Sequence, residues 1–233
     1  RKVMRNYLPN DEESKHFACL LQWDNIYYQE PTEEYISPKT TVRVGLVQWQ
    51  MRSYKTLDDL FEQVEFFVDS VSGYQSDFVL FPEYFNAPLM ARFNDASESQ
   101  AIRGLARYTD EIRERFINLA IRYNINIITG SMPLIKEDGL LYNVGFLCRR
   151  DGTYEMYEKL HVTPDEMKCW GLSGGKAIRT FETDCAKIGV LICYDVEFPE
   201  LSRIMASEGM QILFVPFLTD TQNAYSRVRV CAH

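Results

Sequence analysis

The sequence of 233 residues has few histidines, no clustered cysteines and no long hydrophobic run. Its three histidines are scattered and no two of its six cysteines are spaced Cys-x-x-Cys, so neither a zinc site nor a disulfide framework is predicted. The longest apolar stretches, residues 188–193 and 212–217, are too short to span a bilayer. No basic run offsets the excess of 33 acidic over 25 basic residues, so nucleic acid is not an expected partner.

The overall composition is typical of a globular protein, with 46% hydrophobic and 25% charged residues. We therefore expect a reduced, cytoplasmic protein that has no metal, membrane or nucleic-acid partner. The length fits one domain plus a tail. Residues 1–41 carry many charges and three prolines without a sustained period, which predicts an N-terminal tail or linker with one short helix near residues 12–23. The domain is expected to cover residues 42–233.

Hydrophobic periodicity predicts an α/β fold with a mixed sheet. The clearest helix covers residues 55–72, where the apolar side chains form one stripe and Thr56 with Asp59 forms a capping box. Asp151-Gly152 between two apolar segments predicts a hairpin. The predicted strands are 42–49, 78–81, 125–129, 140–148, 153–157, 188–193 and 212–217, and further helices are predicted at 109–123, at 199–208 and from 223 onward.

Two ionisable residues follow predicted strands, at the edge where α/β sheets place their sites. Glu83 lies among aromatic residues in the sequence FPEYF, where partial desolvation would raise its pKa toward that of a general base. Lys159 leaves the second strand of the hairpin and could supply a fixed positive charge to an oxyanion. Taken alone, each is more ordinary as a solvated surface residue, because Glu and Lys are almost never fully buried.

Cys193 ends a predicted buried strand, and a helix begins a few residues later. Such a strand-turn-helix bend exposes a side chain and can aim backbone N–H groups at a reacting oxygen. A nearby helix N-terminus and a lysine would both favour the thiolate form of a nucleophile. The alternative is that Cys193 is a small buried hydrophobic residue, which is the expectation for most of the other cysteines.

Three motifs stand in one order along the chain: FPEYF at residues 81–85, YEKLH at 157–161 and ICYDVEFPE at 192–200. With VGLVQ at 44–48, YNVGFL at 142–147 and GLSGG before FETD, they resemble the nitrilase, or carbon-nitrogen hydrolase, superfamily. The resemblance implies a four-layer α-β-β-α sandwich that usually forms a homodimer and needs no cofactor. It implies Glu83 as base, Lys159 as oxyanion contact, Cys193 as nucleophile and Glu166 as the carboxylate that orients the lysine.

The residues around the nucleophile motif bear on the substrate. Tyr194-Asp195 stands where nitrile-cleaving members typically have Trp-Glu, which favours a small-molecule amide, and Glu197 stands where many amidase-like relatives have Arg. Tyr84 and Tyr194 are expected to shape the substrate pocket. The alternatives are a nitrile hydrolase or an acyl transferase with the same three residues, or a non-catalytic scaffold. His161 is expected to be structural.

The two ends of the chain carry expectations of their own. Residues 1–40 lie outside the resemblance, and they resemble the connector in proteins that fuse an N-acetyltransferase domain in front of this hydrolase. Family members continue beyond the position that corresponds to His233. The resemblance therefore implies a domain that is incomplete at its C-terminus.

Overall fold

The computed structural model describes residues 41–93, 95–219 and 221–232, so all but the last residue of the expected tail at 1–41, and its short helix, lie outside the described residues. In the described part, seven strands form one mixed sheet and three form another. The first sheet contains β1 (Val44–Leu46), β2 (Phe78–Leu80), β3 (Asn126–Ile128), β4 (Met132–Ile135), β5 (Leu141–Cys148), β6 (Tyr154–Glu158) and β7 (Leu172–Ser173). The second contains β8 (Thr180–Glu182), β9 (Lys187–Val190) and β10 (Ile212–Phe214).

The first sheet is parallel where helices connect its strands and antiparallel around the hairpin. β1, β2 and β3 pair in parallel, and β5 then pairs antiparallel with β3, β4 and β6. In the second sheet β9 lies between parallel β10 and antiparallel β8. The helices are α1 (Leu57–Gly73), α2 (Glu98–Leu105), α3 (Thr109–Arg122), α4 (Pro199–Ser207) and α5 (Gln222–Ala232). Short helical turns cover Ala87–Phe93, Ala106–Tyr108, Glu166–Trp170 and Cys193–Glu197.

Alternate residues of the central strands face two different hydrophobic clusters. Val79 of β2 and Ile127 of β3 pack in the cluster that contains the apolar stripes of α1 and α3. Their neighbours Phe78 and Ile128 pack in a second cluster with the second sheet and Met205 of α4. Because strand side chains alternate between faces, the first sheet is covered by helices on one side and by the second sheet on the other. This confirms the expected order of helix, sheet, sheet and helix.

Most predicted elements are confirmed, with shorter strands. The capping box of α1 is present, since Asp59 N–H donates to Thr56 Oγ1 and the Asp59 carboxylate accepts the Thr56 N–H. The prediction that residues 42–49 form a strand buried on both faces is wrong, because β1 has three residues and Leu46 is 71% exposed. The sequence analysis also missed α2, β4, β7 and β8. None of the helices in the described part is long and apolar enough to cross a membrane.

Candidate active site

Glu83 lies three residues beyond the end of β2 and is 2% exposed. Its Oε1 accepts hydrogen bonds from Lys159 Nζ at 2.8 Å and from Asn143 Nδ2 at 2.9 Å, and its Oε2 accepts the backbone N–H of Leu218 at 3.1 Å. Burial raises the pKa of Glu83; Lys159 opposes this shift and the carboxylate of Glu166 adds to it. Glu83 is thus a fixed carboxylate with an increased affinity for a proton.

Lys159 directly follows β6 and is 1% exposed. Its Nζ donates to Oε1 of Glu83 and to Oε1 of Glu166, each at 2.8 Å. Burial works against the charged form, but the two carboxylates outweigh it and raise the pKa of Lys159 above its ordinary value. The side chain is therefore an ammonium group held between two acids. This position contradicts the interpretation of Lys159 as a surface residue.

Glu166 begins the short helical turn Glu166–Trp170 and is anchored on both carboxylate oxygens. Oε2 accepts the backbone N–H of Thr163 at 2.7 Å, and Oε1 accepts the Tyr84 hydroxyl at 2.9 Å beside its contact with Lys159. Burial, followed by the charges of Glu166 and Glu83, holds the pKa of Tyr84 well above its ordinary value. The structure thus places Glu166 in contact with the ammonium group of Lys159, the residue that the resemblance expects it to orient.

Cys193 stands at the first position of the turn Cys193–Glu197, shortly after β9, with φ of 50°. This left-handed conformation is unfavourable for a residue with a Cβ, and such strain is concentrated at functional sites. The backbone N–H donates to Pro216 O at 2.9 Å, and Sγ lies 3.9 Å from Leu218 O. Tyr84, directly after Glu83, also has φ of 50°.

The features that favour the thiolate form of Cys193 are outweighed in the structure by burial and by a neighbouring carboxylate. Burial raises the pKa of the Cys193 thiol, the Glu83 carboxylate raises it further, and Lys159 only partly opposes them. The side chain is 8% exposed. The raised pKa favours the protonated thiol, with the Glu83 carboxylate beside it.

Asp195 connects the turn that begins at Cys193 to the two residues that follow Lys159. Its Oδ2 accepts the backbone N–H of Leu160 at 3.0 Å, and its Oδ1 accepts that of His161 at 2.7 Å. Burial raises the pKa of Asp195, whereas these backbone donors and the His161 side chain oppose the shift. The His161 ring stacks on Phe198 with centroids 3.8 Å apart, which agrees with its expected structural role.

These groups open into a cavity of about 650 Å³. Glu83, Lys159, Glu166 and Cys193 all line it, as do the two residues expected to shape a pocket, Tyr84 and Tyr194. Among residues 41–93, 95–219 and 221–232, no group of three His, Cys, Asp or Glu side chains is arranged to hold a metal ion. The cavity therefore brings a thiol, a buried carboxylate and an ammonium group together in one space.

Three residues of the site have roles that the sequence analysis did not assign. Asn143 is a fully buried amide in β5, and a polar residue within an otherwise apolar buried strand was an available signal, because such a group requires a partner. Asp195 was considered only for its bearing on the substrate. Leu218 acts through its main chain, which its side-chain type could not indicate.

Comparison with known proteins identifies the family of this arrangement. Residues 43–230 match the family model described as carbon-nitrogen hydrolase. The "Probable hydrolase YhcX" of Bacillus subtilis (strain 168) is 43% identical over 232 residues, which are 99% of this chain and 45% of that protein. The human "Omega-amidase NIT2" is 32% identical over 188 residues, which are 76% of this chain and 63% of that protein. The chain thus spans about half to two thirds of the length of these relatives.

Solved structures share the fold. The crystal structure of Saccharomyces cerevisiae Nit3, described as a member of branch 10 of the nitrilase superfamily, aligns with a TM-score of 0.62 and 25% identity, covering 79% of this chain and 67% of that one. A carbon-nitrogen hydrolase from Helicobacter pylori G27 aligns with a TM-score of 0.69 over 82% of this chain and 68% of that one. At 20% identity, the second comparison bears on the fold alone.

Proposed function

Because the chain belongs to the carbon-nitrogen hydrolase family, we propose that it cleaves the amide bond of a small molecule through a thioester on Cys193. One observation carries this proposal. Glu83, Lys159 and Cys193 converge in one cavity, although 76 positions separate Glu83 from Lys159. The name of the human relative, an omega-amidase, supports amides over nitriles.

The first step needs a base because the thiol is protonated at rest. Glu83 and Cys193 are close enough that each shifts the pKa of the other. The Glu83 carboxylate accepts the thiol proton as sulfur attacks the amide carbon, so a buried thiolate never has to persist unpaired. The same carboxyl group then gives this proton to the departing amine or ammonia. Its raised pKa suits it to both roles.

The tetrahedral intermediate needs donors for its oxyanion. The Lys159 ammonium supplies one, and its two carboxylate partners hold it in place before substrate arrives. The backbone N–H of Tyr194 is the second, because among the described residues it has no hydrogen-bond acceptor. Removing one such donor costs about 3 kcal/mol of transition-state stabilisation. Water that Glu83 activates then hydrolyses the thioester and releases the acid.

The test is ammonia release from a panel of amides and matching nitriles. Cys193→Ala and Glu83→Gln are each expected to lower kcat by about a thousandfold or more, because neither can complete the proton and acyl transfers. Cys231→Ser is the matched control, since Cys231 is an exposed thiol outside the cavity lining. Circular dichroism checks that each variant is folded.

The outcomes separate the candidate functions. Residual activity above a few percent in either site variant would remove Cys193 and Glu83 from the mechanism. Faster turnover of a nitrile than of its matching amide would favour nitrile hydrolysis. Transfer of the acyl group to hydroxylamine in preference to water would favour an acyl transferase, and complete inactivity of the unmodified protein would favour a scaffold.

A further inference from the structure

The cavity around Cys193 has an excess of acidic side chains. Two cationic side chains line it, against five carboxylates, and the complete set is Lys159 and Arg227 with Glu83, Glu98, Asp165, Glu166 and Glu197. A concave site lined mainly by one sign of charge concentrates ligands of the opposite sign. The charge of the lining therefore bears on which amides can enter.

Both cationic groups already have carboxylate partners. Lys159 Nζ contacts two carboxylates at 2.8 Å. Arg227 reaches Glu197 through its Nε, at 3.3 and 3.4 Å from the two carboxylate oxygens. A carboxylate on a substrate would have to compete with two carboxylates for Lys159, and it could approach the exposed guanidinium of Arg227 only beside the charge of Glu197. Within the described part of the chain, each cationic group that lines the cavity thus has a carboxylate within 4 Å, which weakens its attraction for an anionic ligand.

Two of the carboxylates have no partner at all among the described residues. Glu98 begins α2, and Asp165 immediately precedes the turn Glu166–Trp170, which packs against α2. Both side chains are on exposed residues that line the cavity, and neither forms a hydrogen bond or an ion pair with a described residue. They form a negative rim that a cationic ligand group can reach without breaking an existing contact.

Aromatic rings in the same cavity indicate the same ligand chemistry independently of the acids. Trp170 and Tyr194 both line it, and the rings of Trp170 and Tyr84 are perpendicular with centroids 5.4 Å apart. The faces of Trp and Tyr rings attract ammonium and guanidinium groups because the ring quadrupole is negative there. Such faces combined with unpaired carboxylates form a typical site for an organic cation.

From these two observations we infer that the substrate is a small amide that carries an ammonium or guanidinium group remote from the scissile bond. The inference rests on the proposed function, because the amide must reach Cys193 while the cation lies at the rim. The cationic group is held by Glu98, Asp165 and the aromatic rings, and the amide end enters between Lys159 and Glu83.

Three amides of similar length test this inference: δ-aminovaleramide, which is cationic, hexanamide, which is neutral, and glutaramic acid, which is anionic. We expect kcat/KM to be at least about tenfold higher for the cationic amide than for the neutral one, and lowest for the anionic one. Glu98→Gln and Asp165→Asn should each reduce the cationic-to-neutral ratio about two- to fivefold, as exposed charges do. Glu62→Gln, an exposed acid of α1 outside the cavity, is the control that should preserve the ratio.

A second measurement separates failure of this inference from failure of the proposed function. Calorimetry on the Cys193→Ala variant records binding of the three amides without turnover. Equal kcat/KM values and equal affinities, or a preference for glutaramic acid, would overturn the charge preference and leave amide hydrolysis intact. If the unmodified protein cleaves none of the three, selective binding of δ-aminovaleramide would still support the cationic site, and absence of that binding would overturn it.

Discussion

The carboxylate of Asp195 holds the backbone of His161, with Oδ1 2.7 Å from the amide nitrogen, while its other oxygen accepts the N–H of Leu160. Asp195 is two residues from Cys193, and its two donors directly follow Lys159. The carboxylate is fully buried, so solvent does not compete for these bonds. One buried side chain therefore ties the turn that begins at Cys193 to the two residues that follow Lys159.

Asp195→Asn should impair both stability and catalysis, because the amide group of Asn presents a donor where two backbone donors need acceptors. We expect a loss of about 1–3 kcal/mol in the free energy of unfolding. We also expect at least a tenfold fall in kcat with a smaller change in KM, since the two hydrogen bonds of Asp195 position Cys193 relative to Lys159. Asp110→Asn, in an exposed ion pair of α3, is the control and should cost under about 1 kcal/mol. If the Asp195→Asn variant is destabilised but its kcat is unchanged, the hydrogen bonds of Asp195 have only a structural role.

The pH profile of the enzyme should reflect the raised pKa of Glu83. The base is active only when deprotonated, so kcat/KM falls as pH drops through a pKa above the ordinary value of 4.5. The negative charge of Glu166 contributes to that increase. In the residual activity of Glu166→Gln, the acidic limb should therefore move to lower pH. Glu62→Gln removes the same charge outside the cavity and should leave the acidic limb of the pH profile in place. An acidic limb that Glu166→Gln does not move would contradict the electrostatic coupling between Glu166 and Glu83.

Cysteine labelling should follow exposure rather than catalytic role. Cys169 and Cys231 are exposed, whereas Cys193 is buried and its thiol pKa is raised. A short iodoacetamide pulse at neutral pH should label Cys169 and Cys231 before Cys193, as peptide mapping would show. Because the Glu83 carboxylate raises the pKa of the Cys193 thiol, Glu83→Gln should speed labelling of Cys193. Slower labelling of Cys193 in that variant would show that the carboxylate assists the thiol at rest.

Two glycines with similar backbone conformations should differ in their tolerance of alanine. Gly130 has φ of 70°, and a Cβ there would lie 2.0 Å from the carbonyl oxygen of Pro82, next to Glu83. Gly139 has φ of 75° and would meet nothing within 4 Å. Gly139→Ala should cost about 1–2 kcal/mol from backbone strain alone, and Gly130→Ala more than about 3 kcal/mol because the clash adds to it. Denaturant unfolding measures both, and equal losses would contradict the steric explanation.

Local patterns in the sequence were sufficient for the elements that depend on neighbouring residues. The stripe and capping box of α1 and the Asp151-Gly152 hairpin lie within one segment each, so periodicity and turn chemistry predict them. The strand lengths were overestimated because an apolar run does not reveal where its partner strand ends, as β1 demonstrates. The homodimer and the cytoplasmic location remain predictions.

The candidate site likewise has features that the sequence predicts and features that depend on the tertiary structure. The order of the motifs along the chain predicts that Glu83, Lys159, Glu166 and Cys193 belong together, and the four side chains line one cavity. Only the tertiary structure decided their chemical states, since burial raises the pKa of the Cys193 thiol and paired carboxylates keep Lys159 charged. It also decided the roles of Asn143 and of the Leu218 main chain. A pKa depends on solvent exclusion and on charges distant in sequence, and both are set by packing rather than by residue order.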